Sequence, residues 1–282
     1  MDVRDTLEGM RRDVDAELGQ LLACGGSRLF EALRYAVLGG GKRFRPLLLL
    51  SAGEAFGAGR ALLLPYACAV ELIHNFSLVH DDLPSLDNDD FRRGKPSCHK
   101  AFGEGPAVLA GDGLLALAFE VIARAPSPAG HTERKDAALR EIAAAAGVRG
   151  MIEGQWMDIS LRAGEADERV FTDLVRKKTG ALIRASAAAG ALIAGAPADG
   201  LAAVERYGDA VGLAFQLRDD LADAAQSGPP SGIDAVALFG RDGTRARLER
   251  CVSEAVAALD AGKVASPELR YLTREIGPGS GT

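Results

Sequence analysis

Apolar residues recur along this chain every three or four positions in segment after segment, with short Gly/Pro interruptions and no convincing alternation of period two. That rhythm predicts helices over 2–23, 27–38, 44–57, 60–82, 105–124, 133–159, 167–194, 197–225, 242–260 and 266–275. Gly39-Gly40-Gly41 should end one helix, and Pro46 suits the first turn of the next. Pro84 should stop the helix before it, leaving Asp87 to Pro96 as a polar loop. Gly228-Pro229-Pro230-Ser231-Gly232 is a second strong break, and the Gly-rich tail from Gly277 should be mobile. No repeat or linker divides the chain, so a single domain over 1–282 is expected.

Composition supports the helical reading. The 282 residues are 48% hydrophobic but only 5% aromatic and rich in alanine, which suits closely packed helices better than a sheet of β-branched strands. The expectation is an all-α protein. A net charge of −6 without a long basic run gives no footing for nucleic-acid binding. Cys24, Cys68, Cys98 and Cys251 form no Cys-x-x-Cys pair, and the charged N-terminus lacks an apolar signal core. Apolar stretches such as Ala185 to Ala196 fall short of the roughly 20 residues that cross a bilayer. A soluble protein of a reducing cytoplasm is therefore expected.

The chemistry lies in two acidic clusters, Asp81-Asp82-Leu83-Pro84-Ser85-Leu86-Asp87 and Asp219-Asp220-Leu221-Ala222-Asp223. Each follows a largely apolar run, Ala67 to Val79 and Ala210 to Phe215, and carboxylates crowded against an apolar wall call for a compensating cation. Hard oxygen ligands with room for water and phosphate describe Mg²⁺ better than zinc. Asp219 and Asp223, four residues apart, project about 40° from one another on a helix and can reach one ion. Asp81 and Asp87 cannot share a helix face, but a helix ended by Pro84 lets Asp87 fold back beside Asp81. Solvated helix ends would explain either cluster alone; two clusters with basic neighbours weigh against that.

Those neighbours, Lys42, Arg45, His74, Arg92 and Arg93, are candidate diphosphate grips, since Arg offers forked donors and Lys a compact charge. His74, seven residues before Asp81, is read with them rather than as a core histidine. His80 and His99 lack ligand spacing and are read as structural. Lys178-Thr179 can donate to phosphate, and Gln155 and Asp158 are polar residues in a core helix that need partners. P-loop, dinucleotide-binding and Gly-x-Ser-x-Gly patterns are all missing, which removes those nucleotide and covalent hydrolase chemistries.

The run Gly40-Gly41-Lys42-Arg43-Phe44-Arg45-Pro46, then Leu78-Val79-His80-Asp81-Asp82-Leu83-Pro84, Arg92-Arg93-Gly94-Lys95-Pro96 and Phe215-Gln216-Leu217-Arg218-Asp219-Asp220 resembles the trans-type polyprenyl diphosphate synthases, most of all the bacterial farnesyl diphosphate synthases. The resemblance implies an isoprenoid-synthase fold, usually homodimeric, with helices around a deep apolar cavity. It implies Mg²⁺, three ions with substrate bound, held by Asp81, Asp82 and Asp87 on one side and Asp219 with Asp223 nearby on the other. Arg92 and Lys178 would contact the allylic diphosphate. Gly41, Lys42, Arg45, His74 and Arg93 would bind isopentenyl diphosphate, while Thr179, Phe215 and Gln216 would line the reacting centre.

Phe76, five residues before Asp81 and about 7.5 Å lower along a helix, would be the pocket floor, which suits a C15 or C10 product, with C15 preferred. One departure stands out: no Lys occurs between Asp223 and Lys263, where such synthases carry one that binds the allylic diphosphate. Arg218 or Arg241 is the available cation. An active short-chain prenyltransferase is the favoured reading. A weakly active regulatory subunit of a heteromeric synthase and a terpene cyclase on the same fold are the alternatives.

Overall fold

The computed structural model describes residues 2–126, 130–161, 166–226 and 233–278, with backbone only at 225 and 226. The break expected at Gly228–Gly232 and the end of the Gly-rich tail lie outside the described residues. Among the described residues thirteen helices make up most of the structure: α1 Val3–Ala23, α2 Arg28–Val37, α3 Phe44–Ala55, α4 Arg60–Asp81, α5 Cys98–Phe102, α6 Glu104–Arg124, α7 Thr132–Ala146, α8 Met151–Ser160, α9 Glu168–Val175, α10 Ala181–Ala194, α11 Ala198–Gln226, α12 Ala235–Ala261 and α13 Pro267–Glu275. A π-helical turn, Arg176–Gly180, joins α9 to α10. Among the described residues the strands are two-residue pieces, β1 Phe91–Arg92 and β2 Lys95–Pro96. The all-α expectation holds.

By internal contacts the chain forms two compact units, Met1–Leu50 with Gly59–Pro128, and Ser51–Ala58 with Ala129–Thr282. In the first, α1 buries Leu7, Met10, Val14, Leu18 and Leu22, a stripe at helical spacing, and Asp2 caps its first turn by accepting from the Arg4 amide. The central helix α4 packs along α6 and is buried continuously from Tyr66 to Ile73. In the second unit, α10 presents Ala185, Ala187, Ala188, Ala189 and Ala191 fully buried, small side chains that let α7 and α11 pack closely against it. α12 lies along α11.

Several features depart from the expectations, among them the helix expected over 167–194, which the π turn at Arg176–Gly180 divides into α9 and α10. The helix expected over 133–159 is broken after α7, because Gly150 takes a backbone conformation (φ −132°, ψ −117°) whose Cβ would stand 2.2 Å from the Ala145 carbonyl oxygen. α12 begins at Ala235 rather than 242, started by Asp234, whose side chain accepts from the Val236 and Ala237 amides. At Gly240 the backbone leaves the helical conformation (φ 69°, ψ 163°), which sets this short opening segment apart from the helix expected over 242–260. The expected loop 87–96 contains an antiparallel hairpin turned through Arg93 (φ 52°) and Gly94 (φ 74°), the paired left-handed conformations of a tight two-residue turn. Finally, α4 and α6 are long and apolar enough to cross a membrane by length and composition, which corrects the expectation that no segment reaches that length. α4 is largely buried and carries the buried polar residues Glu71 and Asn75.

Candidate active site

In the first unit the functional side chains gather around the C-terminal half of α4. The helix ends at Asp81, and the chain then reverses so that the Asp87 amide donates to the Asp81 carbonyl at 2.9 Å. Asp82, 2% exposed, is engaged by Arg92 of β1, whose Nε lies 2.9 Å from Oδ1 and whose Nη2 contacts the same oxygen and, at 3.0 Å, Asp89. Burial pushes the Asp82 carboxyl up, and the Arg92 guanidinium opposes that shift. Asp81 is half-buried and Asp87 exposed.

The basic loop between α2 and α3 uses rare backbone conformations at Gly40 (φ 93°), Gly41 (φ 139°) and Arg43 (φ 52°). Gly41 has no alternative: a Cβ there would lie 3.0 Å from the Arg93 Cζ, and its φ is one that side chains resist. Arg93 donates to the Gly40 carbonyl, so this predicted diphosphate grip also supports the loop. Lys42 is exposed and Arg45, in the first turn of α3, is buried. Enclosure, with Arg45, Arg93, Arg43 and Arg92 around it, drives the His74 imidazole well below its ordinary pKa. His74 is therefore neutral at pH 7, and the surrounding field is strongly cationic.

Phe76 is 8% exposed and meets the His80 ring edge-on at 5.0 Å between centroids. His80 Nε2 lies 3.0 Å from the Val108 carbonyl oxygen, against Gly111 of α6, and buried His99 pairs with Ser97 at 3.0 Å. Each histidine thus has a partner within the fold, His80 through Nε2 and His99 through Nδ1.

The second unit assembles its own set. A π turn widens the helix at 176–180 and carries Lys178 and Thr179, a distortion that often marks functional positions. Its close approaches are bought with glycine: a Cβ at Gly154 of α8 would sit 2.2 Å from the Lys178 amide nitrogen, and one at Gly212 of α11 would sit 2.7 Å from the Gly180 Cα. Lys178 pairs with Asp158 across this contact. Thr179 donates to Gln216 Oε1 at 3.0 Å, which leaves Gln216 Nε2 to donate to Asp220 at 2.8 Å. Asp220 Oδ2 accepts from the Ala235 amide at 2.9 Å, anchoring the start of α12. Burial raises the Asp220 carboxyl to about 6 against these hydrogen bonds.

Asp219 accepts from Arg218 (Nη2 2.6 Å), whose guanidinium also lies 4.9 Å from the Phe215 ring centre. Arg241 donates to the Ala224 carbonyl at 3.0 Å. Asp223 is exposed. Both amide atoms of Gln155 are buried without a partner, which makes it a further polar group needing a ligand or water.

Among the described residues no three His, Cys, Asp or Glu side chains converge into a ready metal cage. The donor set still suits Mg²⁺, which is held by one or two carboxylates and completes its shell with water and substrate phosphate. Residues that sequence reasoning assigned no role include Glu71, Asn75 and Asp15, which bind Arg43 or its partners, and the glycines at 154 and 212. Glu71 and Asn75 did leave one signal, polar residues four apart inside an apolar run.

Acidic side chains with Arg and Lys partners on an all-helical scaffold form a set that suits a phosphate ligand. A polyprenyl synthetase family model matches residues 27–234. The chain is 42% identical over 243 residues to farnesyl diphosphate synthase of Geobacillus stearothermophilus, covering 83% of this chain and 81% of that one. It is 41% identical to a chloroplastic geranylgeranyl pyrophosphate synthase of Catharanthus roseus, covering 84% and 71%. A crystal structure of an FPP/GFPP synthase from Zymomonas mobilis superposes with a TM-score of 0.89 at 36% identity, over 97% of this chain and 98% of that one. The chain belongs to the polyprenyl synthetase family, and its fold is the isoprenoid-synthase fold.

Proposed function

We propose that this chain is a short-chain trans-prenyltransferase that joins isopentenyl diphosphate to dimethylallyl or geranyl diphosphate, with farnesyl diphosphate (C15) as its main product. The observation that carries the reading is the presence, in a member of this family, of two aspartate groups, one ending α4 and one within α11, together with a cationic cluster around a neutral histidine.

Asp81, Asp82 and Asp87, and likewise Asp219 with Asp223, are proposed to hold Mg²⁺, three ions with substrate present. Bound there, the metal would neutralise the charge that develops on the allylic diphosphate as its C–O bond breaks. Arg92, oriented by Asp82 and Asp89, and Lys178, oriented by Asp158, are assigned to the allylic diphosphate. Gly41, Lys42, Arg45, Arg93 and neutral His74 are assigned to isopentenyl diphosphate. A neutral imidazole can accept or donate there without adding positive charge to a crowded cationic field.

Thr179 fixes the Gln216 amide, so that Gln216 and Phe215 present a defined dipole and ring edge to the reacting carbons. Excluding water then protects the allylic cation until the isopentenyl double bond attacks, after which the departing diphosphate takes the proton. Phe76 is assigned as the floor that stops growth. The four free cysteines suit a reducing cytoplasm. A homodimer is the assembly we expect, and α6 offers exposed Val108 (40%) and Leu109 (61%) as apolar contacts for it.

The test is incubation of purified protein with Mg²⁺, isopentenyl diphosphate and geranyl diphosphate, followed by chromatography of the prenyl products. Farnesyl diphosphate is expected. Diphosphate release from geranyl diphosphate alone would indicate a cyclase, and no turnover would indicate a regulatory subunit.

A further inference from the structure

Glu71 is a fully buried carboxylate that the reaction above does not use. Its Oε1 accepts from Arg43 Nη1 at 2.8 Å, and both side chains are 2% exposed. Arg43 spends its other donors on Asp15 of α1 (Nε to Oδ1, 2.7 Å) and on the carbonyl of Val37 at the end of α2 (Nη2, 2.9 Å). Burial works against the Arg43 charge, but the two carboxylates outweigh it and hold the guanidinium above its ordinary pKa. The same Glu71 Oε1 accepts from Asn75 Nδ2 at 3.1 Å. Asn75 Oδ1 in turn faces Arg93 Nη1 at 3.5 Å, and Arg93 donates to Gly40.

One carboxylate on α4 is thus tied to both ends of the loop 40–43, to Arg43 directly and to Gly40 through Asn75 and Arg93. The tie has a geometric consequence. Arg43 is pulled inward at a left-handed backbone (φ 52°) while its neighbour Lys42 is turned out into solvent. A buried ion pair is seldom a net gain in stability over apolar packing of the same volume, so its value here lies in orientation.

We propose that Glu71 is a positioning residue that shapes the 40–43 loop, through Arg43 on one side and Asn75–Arg93 on the other, so that the Gly41 amide, Lys42 and Arg45 present a preformed site to the diphosphate of the non-allylic substrate. This rests on the assignment of that loop to isopentenyl diphosphate. The substitution Glu71→Gln keeps size and an acceptor but removes the charge that both arms share.

Two readouts on this variant separate the inference from the functional reading. Hydrogen exchange tests the positioning itself: amides of 39–45 should exchange at least about tenfold faster than in the wild type, with α1 and the rest of α4 unchanged. Unchanged exchange in the loop overturns the proposal whatever the enzyme does. Binding of isopentenyl diphosphate in EDTA, by calorimetry, tests the consequence. A misplacement of the loop by ~1 Å should weaken it about tenfold to a hundredfold, with the KM for the allylic diphosphate within about twofold of the wild type.

Equal losses for both substrates, or none for isopentenyl diphosphate, would contradict the assignment of Glu71. If the wild type itself does not bind isopentenyl diphosphate, the functional reading fails while the exchange result still decides the loop. Should Glu71→Gln not fold, Arg43→Lys keeps the charge and loses the fork, and the same selective loss is expected of it.

Discussion

The contact between α8 and the π turn can be tested with a single methyl group. In Gly154→Ala the new Cβ would lie 2.2 Å from the Lys178 amide nitrogen, 2.5 Å from its Cα and 2.7 Å from the Lys177 carbonyl carbon. All three are backbone atoms, so no side-chain rotation relieves the clash. An ordinary contact needs ~3.4 Å or more, and α8 must therefore retreat from the turn by ~1 Å. Overpacking of this kind costs about 1–3 kcal/mol in stability.

The larger effect should be on turnover, because the retreat parts Lys178 from Asp158 and shifts Thr179 against Gln216. A displacement of ~1 Å in positioning groups can cost about a hundredfold, and a fall in kcat of between tenfold and a hundredfold is expected here. The assay is steady-state condensation of isopentenyl and geranyl diphosphates below the melting temperature of the variant, with circular dichroism confirming helix content. A folded Gly154→Ala enzyme with wild-type kcat would refute the claim that this contact places the catalytic side chains.

Two other outcomes follow from single groups. Phe76→Ala removes a nearly buried ring at a cost of about 3–5 kcal/mol and should shift products from C15 toward C20 and longer; an unchanged chain-length distribution removes Phe76 from the role of floor. His74 has a folded-state pKa well below its unfolded value near 6.5, so the unfolded chain binds the proton first as pH falls. Its contribution to stability is intact above about pH 6.5 and is lost toward acid at up to ~1.4 kcal/mol per pH unit. Urea midpoints between pH 5 and 8 should accordingly show a shallower acid-side slope in His74→Gln, and identical slopes would contradict the burial of a neutral imidazole.

What could be read in the sequence divides along physical lines. Helical periodicity reports burial of one face, so α1, α4, α6 and α11 were visible within a few residues, whereas the expected helix over 167–194 ran α9, the π turn and α10 together. It is insensitive to glycine used as a break inside an alanine-rich run, which is why the end of α7 at Gly147–Gly150 passed unnoticed. Periodicity also cannot see the start of α12 at Ala235, since Asp234 and the Asp220 anchor act from outside the repeating stretch. The hairpin at Arg93-Gly94 has the glycine of the usual Asn-Gly turn but an arginine in the asparagine's place, and that arginine donates to Gly40, 53 residues away.

Candidate site residues stand out in the sequence where charge breaks an apolar pattern, as at Asp81, Asp82 and Asp219. Residues that act by contact were not. Arg43 and Glu71 are 28 positions apart, and nothing in either neighbourhood announces the other. The glycines at 154 and 212 matter only because of what another helix brings against them.

The account turns on metal-assisted departure of diphosphate at two acidic groups, and the most direct test is kcat for condensation at saturating Mg²⁺ in Asp81→Asn and, separately, Asp219→Asn. Removing one such electrostatic contribution should lower kcat by about a hundredfold to a thousandfold in each, with isopentenyl diphosphate binding in EDTA unchanged. A near-wild-type kcat in either folded variant would contradict the requirement for both groups.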